Sequence, residues 1–239
     1  MSKFNLEMPE PSFGEMIPTL NQRGFMSATL DEYSNKFVEY AATTNHEVLD
    51  IGCAYGVATL AALEKGVRVL AVDIDPGHLI ILKQRIPEAH RTQVRTLVAA
   101  LPEVDFPDQS FGAILAARVM HFLLGPDIEL AVRKMRRWLK TGGKLFLTAD
   151  TPYTGFWSSI ASEYERKKQE GDPWPGLISD VRPLLNNQLP SGMLPYLNPL
   201  DADILARVCR EAGFTVEEAG MFGRSGNPEK QKHCGVVAY

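Results

Sequence analysis

The chain has 239 residues, 45% hydrophobic and 23% charged, with 19 glycines, 16 prolines and a formal net charge of −4. That balance excludes a disordered or fibrous protein, and the length allows one sizeable core to be buried without help from disulfides or metal. Cys53, Cys209 and Cys234 are far apart and form no CxxC pair, so no metal site and no disulfide framework is expected, and a reducing, cytoplasmic compartment is.

The first twenty residues are broken by prolines and acids and hold no signal-like apolar run. The longest apolar stretch, from Phe111 to Gly125, is interrupted by Arg118 and His121 and is too short for a bilayer, so no membrane association is expected. A slightly acidic chain has no global field for nucleic acid, which leaves a small molecule as the expected partner. The residues carry no sign of an oligomeric state.

Strand and helix signals alternate from residue 46 to 151. Glu47 to Ile51 reads as a buried strand, Val57 to Lys65 as a helix closed by Gly66, and Val67 to Asp73 as a second strand. Asp75-Pro76 opens the next helix as cap and first residue, with Leu79, Leu82 and Ile86 as its apolar stripe. A third strand follows at Val94 to Val98 and a fourth, apolar on both faces, at Phe111 to Ala117. Pro126 to Leu139 repeats apolar residues at helical spacing, and Gly142-Gly143 is expected to end that helix before a fifth strand at Lys144 to Thr148. This order specifies right-handed βαβ crossovers and an α/β, doubly wound, mostly parallel sheet.

After Asp150 the pattern changes. Residues 152–199 hold seven prolines and the aromatics Tyr153, Phe156, Trp157, Tyr164, Trp174 and Tyr196, with one helical stretch from Trp157 to Gln169, and read as an insertion. Asn198-Pro199 is expected to cap a helix carrying Ile204, Leu205 and Val208. Phe214 to Glu218 and Gly235 to Ala238 supply two final strands, the last antiparallel. The organisation expected is one domain: residues 1–45 as an N-terminal lid or helical segment, and 46–239 as the main unit, with 152–199 as an insertion within it.

The informative segment is Val48 to Thr59, VLDIGCAYGVAT, a strand ending in a glycine-rich turn that opens a helix. Gly52 allows a tight turn and close approach of a ligand, and Gly56 lets the helix start pack against the strand. Asp73 ends the next strand, where a carboxylate accepts hydrogen bonds from ribose hydroxyls. A dinucleotide fingerprint needs its first and third glycines five apart, whereas Gly52 and Gly56 are four apart, and Asp50 in the turn repels pyrophosphate but suits a cationic ligand.

These motifs, DIGCAYG, VLAVDID and FPDQSFGAIL, together resemble the class I S-adenosylmethionine-dependent methyltransferases, over roughly residues 46 to 151. The resemblance implies a Rossmann-like seven-stranded sheet and S-adenosylmethionine as cofactor. It implies that Asp50, Gly52, Cys53, Ala54 and Gly56 wrap the methionine part and that Asp73 holds the ribose. Ile74 would then cover adenine beside Ala100 and Leu101, and the Ala117 carbonyl would meet the amino group. Three positions depart from the family pattern: Ala54 stands for a glycine, Ala100 for an aspartate, and Gly112 for the aspartate common after Phe111.

For chemistry the sequence offers His121, just past the fourth strand, as a base or as a packed structural histidine, and Tyr153 after the fifth strand. Arg118 suits an acidic substrate group or an ion pair. Trp157 and Trp174 suit a water-excluding lid over the acceptor, or a core beneath a long loop, and Tyr33 a closure from the N-terminal side. Two other functions remain open: an NAD-dependent oxidoreductase, and a non-catalytic module that binds S-adenosylmethionine.

Overall fold

A computed structural model describes residues 6–12, 14–153, 157–223 and 231–239; Phe156 of the expected insertion lies outside them. The first elements among the described residues form a small antiparallel hairpin, β1 (Met16–Pro18) and β2 (Phe25–Ser27), which nothing in the periodicity announces. Helix α1 (Glu32–Ala41) follows, capped by Asp31, whose carboxylate accepts from the Ser34 amide at 2.7 Å.

The main sheet uses β3 (Val48–Ile51), β4 (Val69–Asp73), β5 (Val94–Val98), β6 (Phe111–Ala117), β7 (Leu139–Asp150), β8 (Val216–Gly223) and β9 (Gln231–Ala238). Its spatial order is β5-β4-β3-β6-β7-β9-β8, parallel except for β9, which runs antiparallel to both neighbours. The connecting helices are α2 (Val57–Glu64), α3 (Pro76–Arg85), α4 (Gly125–Trp138), α5 (Ala161–Gln169) and α6 (Ala202–Glu211).

Alternating strand residues feed two faces. On one, Leu49, Ile51, Leu70, Ile114 and Leu147 pack against Ile128, Val132 and Met135 of α4 and Leu205 and Val208 of α6. On the other, Val48, Val69, Leu115, Phe146 and Val237 pack against α1, α2 and α3 through Phe37, Val38, Leu63 and Leu82. Helix α1 is therefore part of the core, and the expected boundary at residue 45 falls between elements that share it.

Three expectations differ from the structure. Helix α4 ends at Trp138, and Gly142-Gly143 lies inside β7, where the register against β6 breaks between Phe111 and Ala113. Asp201, not Asn198, caps α6, with its carboxylate accepting from the Ile204 amide at 2.9 Å. Segment 152–199 adds two 3-10 turns, at Ser158–Ile160 and Arg182–Leu185, to its helix and is pinned by an Ile178–Leu197 bridge. The departure at Gly112 has a steric cause: a Cβ there would lie 2.5 Å from the Thr44 hydroxyl and 3.0 Å from His46 Cβ.

Candidate functional site

The carboxyl ends of β3, β4, β6 and β7 converge on one rim, where open parallel sheets leave a crevice. At its centre the turn after β3 runs through three left-handed residues, Gly52 (φ 78°), Ala54 (φ 45°) and Gly56 (φ 79°). Gly52 has no room for a side chain, since a Cβ would sit 2.3 Å from Val119 Cγ2, and at Gly56 it would meet Leu82 Cδ1 at 2.2 Å. Gly56 thus permits packing against α3, across the turn from the strand named in the sequence reading. Ala54 is the non-glycine that the turn strains, in the conformation where a glycine costs least.

Asp73 ties this turn to β4. Its Oδ2 accepts from the Ala54 amide at 2.8 Å, and its Oδ1 accepts from the Asp75 amide at 2.9 Å and lies 2.9 Å from His78 Nδ1. His78 Nε2 accepts from the Leu20 amide at 3.1 Å, which assigns the ring proton to Nδ1 and makes it a third donor to Asp73. With about four lone-pair sites on a carboxylate, one remains, on Oδ2. Beside Asp73, Ile74 is 43% exposed and Val98 is also exposed, an apolar ledge at the end of β4 and β5. Leu101 turns its side chain into the core, the Ala100 carbonyl accepts from Val104, and no partner for the Leu101 amide is found among the described residues.

A cavity of about 60 Å³ lies on the α1 side of the turn, lined by Asp31, Ser34, Asp50, Gly52, Cys53, Ala54, Ala117 and Arg118 among others. Burial pushes the Asp50 carboxyl up to about 6, partly offset by Thr59, whose hydroxyl donates to it at 2.6 Å. Burial likewise pushes the Cys53 thiol well up, which removes it as a nucleophile. Arg118 adopts φ 56°, its amide held by the Thr148 carbonyl and hydroxyl at 2.9 and 3.1 Å. Its guanidinium has no ion-pair partner among the described residues. Of the residues expected at the site, this cavity brings together Asp50, Gly52, Cys53, Ala54, Ala117 and Arg118.

The remaining expectations are redistributed. His121 is 4% exposed, and its Nδ1 accepts from the Asp150 amide at 3.2 Å while Nε2 faces Asp150 Oδ2 at 3.9 Å. Its proton therefore sits on Nε2, its lone pair is engaged, and burial pushes its pKa down to about 4; this arrangement is that of the packed histidine, not of the base. Tyr153 donates to Glu165 on α5 and stacks edge-on against Tyr164, away from the cavity lining. Trp157 is 8% exposed in a cluster with Val181 and Leu197, and Trp174 packs on Gly125 at the start of α4 and under Arg207. Both tryptophans are core beneath a loop rather than a lid. Tyr33 is buried between α1 and the sheet, against Gly235 and 5.2 Å from Phe222, which corrects its expected contact with substrate.

Sequence reasoning missed Asp31, Ser34, His78, Asp150 and His233. Asp31 had a usable signal, an aspartate just before an amphipathic stretch. Asp150 and His233 had none, because their meeting depends on the register that pairs Asp150 with His233 across β7 and β9.

Residues 49–147 match the family model described as a methyltransferase domain. An uncharacterized methyltransferase of Mycobacterium tuberculosis is 33% identical over 104 residues, 44% of this chain and 40% of that protein. The chain thus matches less than half the length of this relative. A ubiquinone biosynthesis O-methyltransferase of Nitrosospira multiformis is 24% identical over 197 residues, covering 79% of this chain and 70% of the other. Among solved structures, the Burkholderia thailandensis 1,6-didemethyltoxoflavin-N1-methyltransferase with bound 1,6-didemethyltoxoflavin and S-adenosylhomocysteine superposes with TM-score 0.57 at 17% identity, over 87% of this chain and 77% of that one. At that identity the likeness establishes the fold.

Proposed function

Residues 49–147 are a methyltransferase domain of the class I, S-adenosylmethionine-dependent family, and from that premise we propose that the chain moves a methyl group from S-adenosylmethionine to a small-molecule acceptor by in-line displacement. The observation that carries this reading is the charge pattern of the cavity. Two carboxylates, Asp31 and Asp50, share it with a cation, Arg118, that has no ion-pair partner among the described residues, and the set complements the ammonium and carboxylate of an α-amino acid. Arg118 is given to that carboxylate here, in place of the acidic acceptor group considered from sequence, because it lines the same walls as Asp50 and Gly52.

The remaining cofactor residues follow the rim. The free lone pair on Asp73 Oδ2 takes one ribose hydroxyl, Ile74 lies under the adenine, and the Leu101 amide is the donor left for its edge. A dinucleotide is disfavoured because its pyrophosphate would meet Asp31 and Asp50 at the turn.

A bound S-adenosylmethionine supplies a methyl carbon already activated by the sulfonium charge. What the chain contributes is orientation and exclusion of water: the left-handed turn shapes the wall at Gly52, the β1–β2 hairpin covers the cavity through Met26 and Ser27, and Leu30, just before α1, closes it beside them. A small-molecule acceptor is supported by relatives whose names specify ubiquinone biosynthesis and a toxoflavin precursor. No helix among the described residues is long and apolar enough to cross a membrane.

Incubation with methyl-labelled S-adenosylmethionine and a cell extract, followed by separation into small-molecule, protein and nucleic-acid fractions, tests the acceptor class. Label in the small-molecule fraction is expected; label confined to protein or nucleic acid would contradict it.

A further inference from the structure

Along β7, Phe146, Thr148 and Asp150 alternate toward the face covered by α1, and along β9 Val237, Gly235 and His233 do the same. The register places Asp150 opposite His233, at the same carboxyl-end rim as the cavity; Thr148, two residues before Asp150, holds the amide of cavity-lining Arg118. His233 Nδ1 lies 2.9 Å from Asp150 Oδ1, and both atoms are buried with no other hydrogen-bond partner among the described residues, a polar pair that faces only itself. The His233 side chain keeps 12% exposure while Nδ1 has essentially none, so its accessible edge is the remainder of the ring.

Resting on the methyltransferase reading above, we propose that His233, oriented by Asp150, is the proton acceptor for methylation of an acidic hydroxyl, a phenol or enol. An aspartate facing Nδ1 fixes the proton there, leaves the lone pair on Nε2, and stabilises the imidazolium that forms, the logic by which a carboxylate supports a catalytic histidine. As the acceptor oxygen bonds to the methyl carbon, its proton passes to His233 Nε2. The carbon–sulfur bond breaks with its electron pair on sulfur, leaving a neutral thioether, and the imidazolium later returns the proton to water.

The surroundings support the assignment. Among the described residues, the groups facing His233 are Asp150 from β7, His121 from beyond β6, Phe222 from β8 at 5.6 Å, and Arg118 near the shared carboxylate. Burial pushes Asp150 up, but the neighbouring imidazoles and Arg118 outweigh it and hold the carboxyl well below the usual range. His121 approaches the same carboxylate with its lone pair already used, so of these two rings only His233 has a nitrogen to offer. Imidazole removes a proton more efficiently from phenols and enols, whose acidity lies closer to its own, than from alkyl alcohols.

Two measurements test this on the full chain. Nitrogen NMR of histidine-labelled protein saturated with S-adenosylhomocysteine reads the tautomers: His233 should carry its proton on Nδ1 and His121 on Nε2, and Asp150→Asn should abolish the His233 preference. An Nε2 proton on His233 overturns the proposal. Methyl transfer to a series of phenols of graded acidity should then show His233→Gln lowering kcat about 10²-fold or more for the weakest acids. The loss should shrink for phenols that arrive ionised, with S-adenosylhomocysteine affinity unchanged. An equal loss along the series, no loss, or refusal of every phenol by protein that binds S-adenosylhomocysteine overturns it. Failure to bind S-adenosylhomocysteine at all would instead refute the underlying cofactor reading.

Discussion

Replacing Asp73 by Asn separates two tasks that one carboxylate performs. In the native protein three donors, the Ala54 and Asp75 amides and His78 Nδ1, converge on it and leave one lone pair on Oδ2. Asparagine can keep an oxygen toward Asp75 and His78, but its NH2 then faces the Ala54 amide, donor against donor. An unsatisfied buried amide costs about 1–3 kcal/mol. For a chain of this size each kcal/mol lowers Tm by about 2–4 °C, so a fall of about 2–12 °C is expected in a thermal melt. The hydrogen bond to ribose, charge-assisted, is worth about 1.5–3 kcal/mol, which predicts S-adenosylhomocysteine affinity weakened roughly 10- to 150-fold by calorimetry. A lower Tm with unchanged affinity would make Asp73 a purely structural residue and refute the ribose assignment; an unchanged Tm would refute the accounting of its three donors.

Other predictions follow from the same geometry. Ala54→Gly relieves a left-handed alanine, a gain of about 1–2 kcal/mol against about 0.4–1 kcal/mol of added unfolded-state entropy, so Tm should hold or rise slightly with affinity retained. Trp157→Ala should cost about 3–5 kcal/mol in denaturant unfolding, since the ring sits in a buried cluster, while affinity for S-adenosylhomocysteine measured on the folded fraction stays native; a native-like melt would return it to a lid role. Asp50 has its folded pKa raised from 3.8 to about 6, so its contribution to stability is full below 3.8 and is lost as pH rises through about 6. A cationic ligand reverses that sign, and S-adenosylmethionine affinity should climb between pH 5 and 7 in the native protein and stay flat in Asp50→Asn. His121 has its folded pKa lowered from 6.5 to about 4, so its contribution is full above 6.5 and is lost as pH falls toward 4; acid unfolding in that window should be shallower in His121→Asn.

The α/β framework was legible because it rests on local signals: β5 lies at the β-branched stretch 94–98, β6 at the apolar run 111–117, and Asp75-Pro76 caps α3 as its residue types require. Two boundaries misled. Gly142-Gly143 looks like a helix stop, yet Leu139 already leaves the helix with extended backbone, and the glycines serve a register break inside β7. Asn198-Pro199 looks like a cap, yet Asn198 is buried with its amide donating to the His121 carbonyl, and Asp201 does the capping. The turn was readable because its left-handed positions, Gly52 and Ala54, are close in sequence and Asp73 ends the next strand beside them. The acceptor side was not: Tyr33, Trp157 and Trp174 look the same whether they face a ligand or a core, and only packing against Gly235, Val181 and Gly125 decides it. Asp150 and His233 are 83 residues apart and meet only through antiparallel pairing.

The account turns on what occupies the crevice above Gly52, and the most direct measurement is calorimetric titration of the full chain with S-adenosylmethionine and, separately, with NAD. Saturable one-site binding of S-adenosylmethionine, abolished by Gly52→Val, with no heat from NAD, is the predicted result. Binding of NAD in its place, or S-adenosylmethionine binding that survives Gly52→Val unchanged, would contradict it.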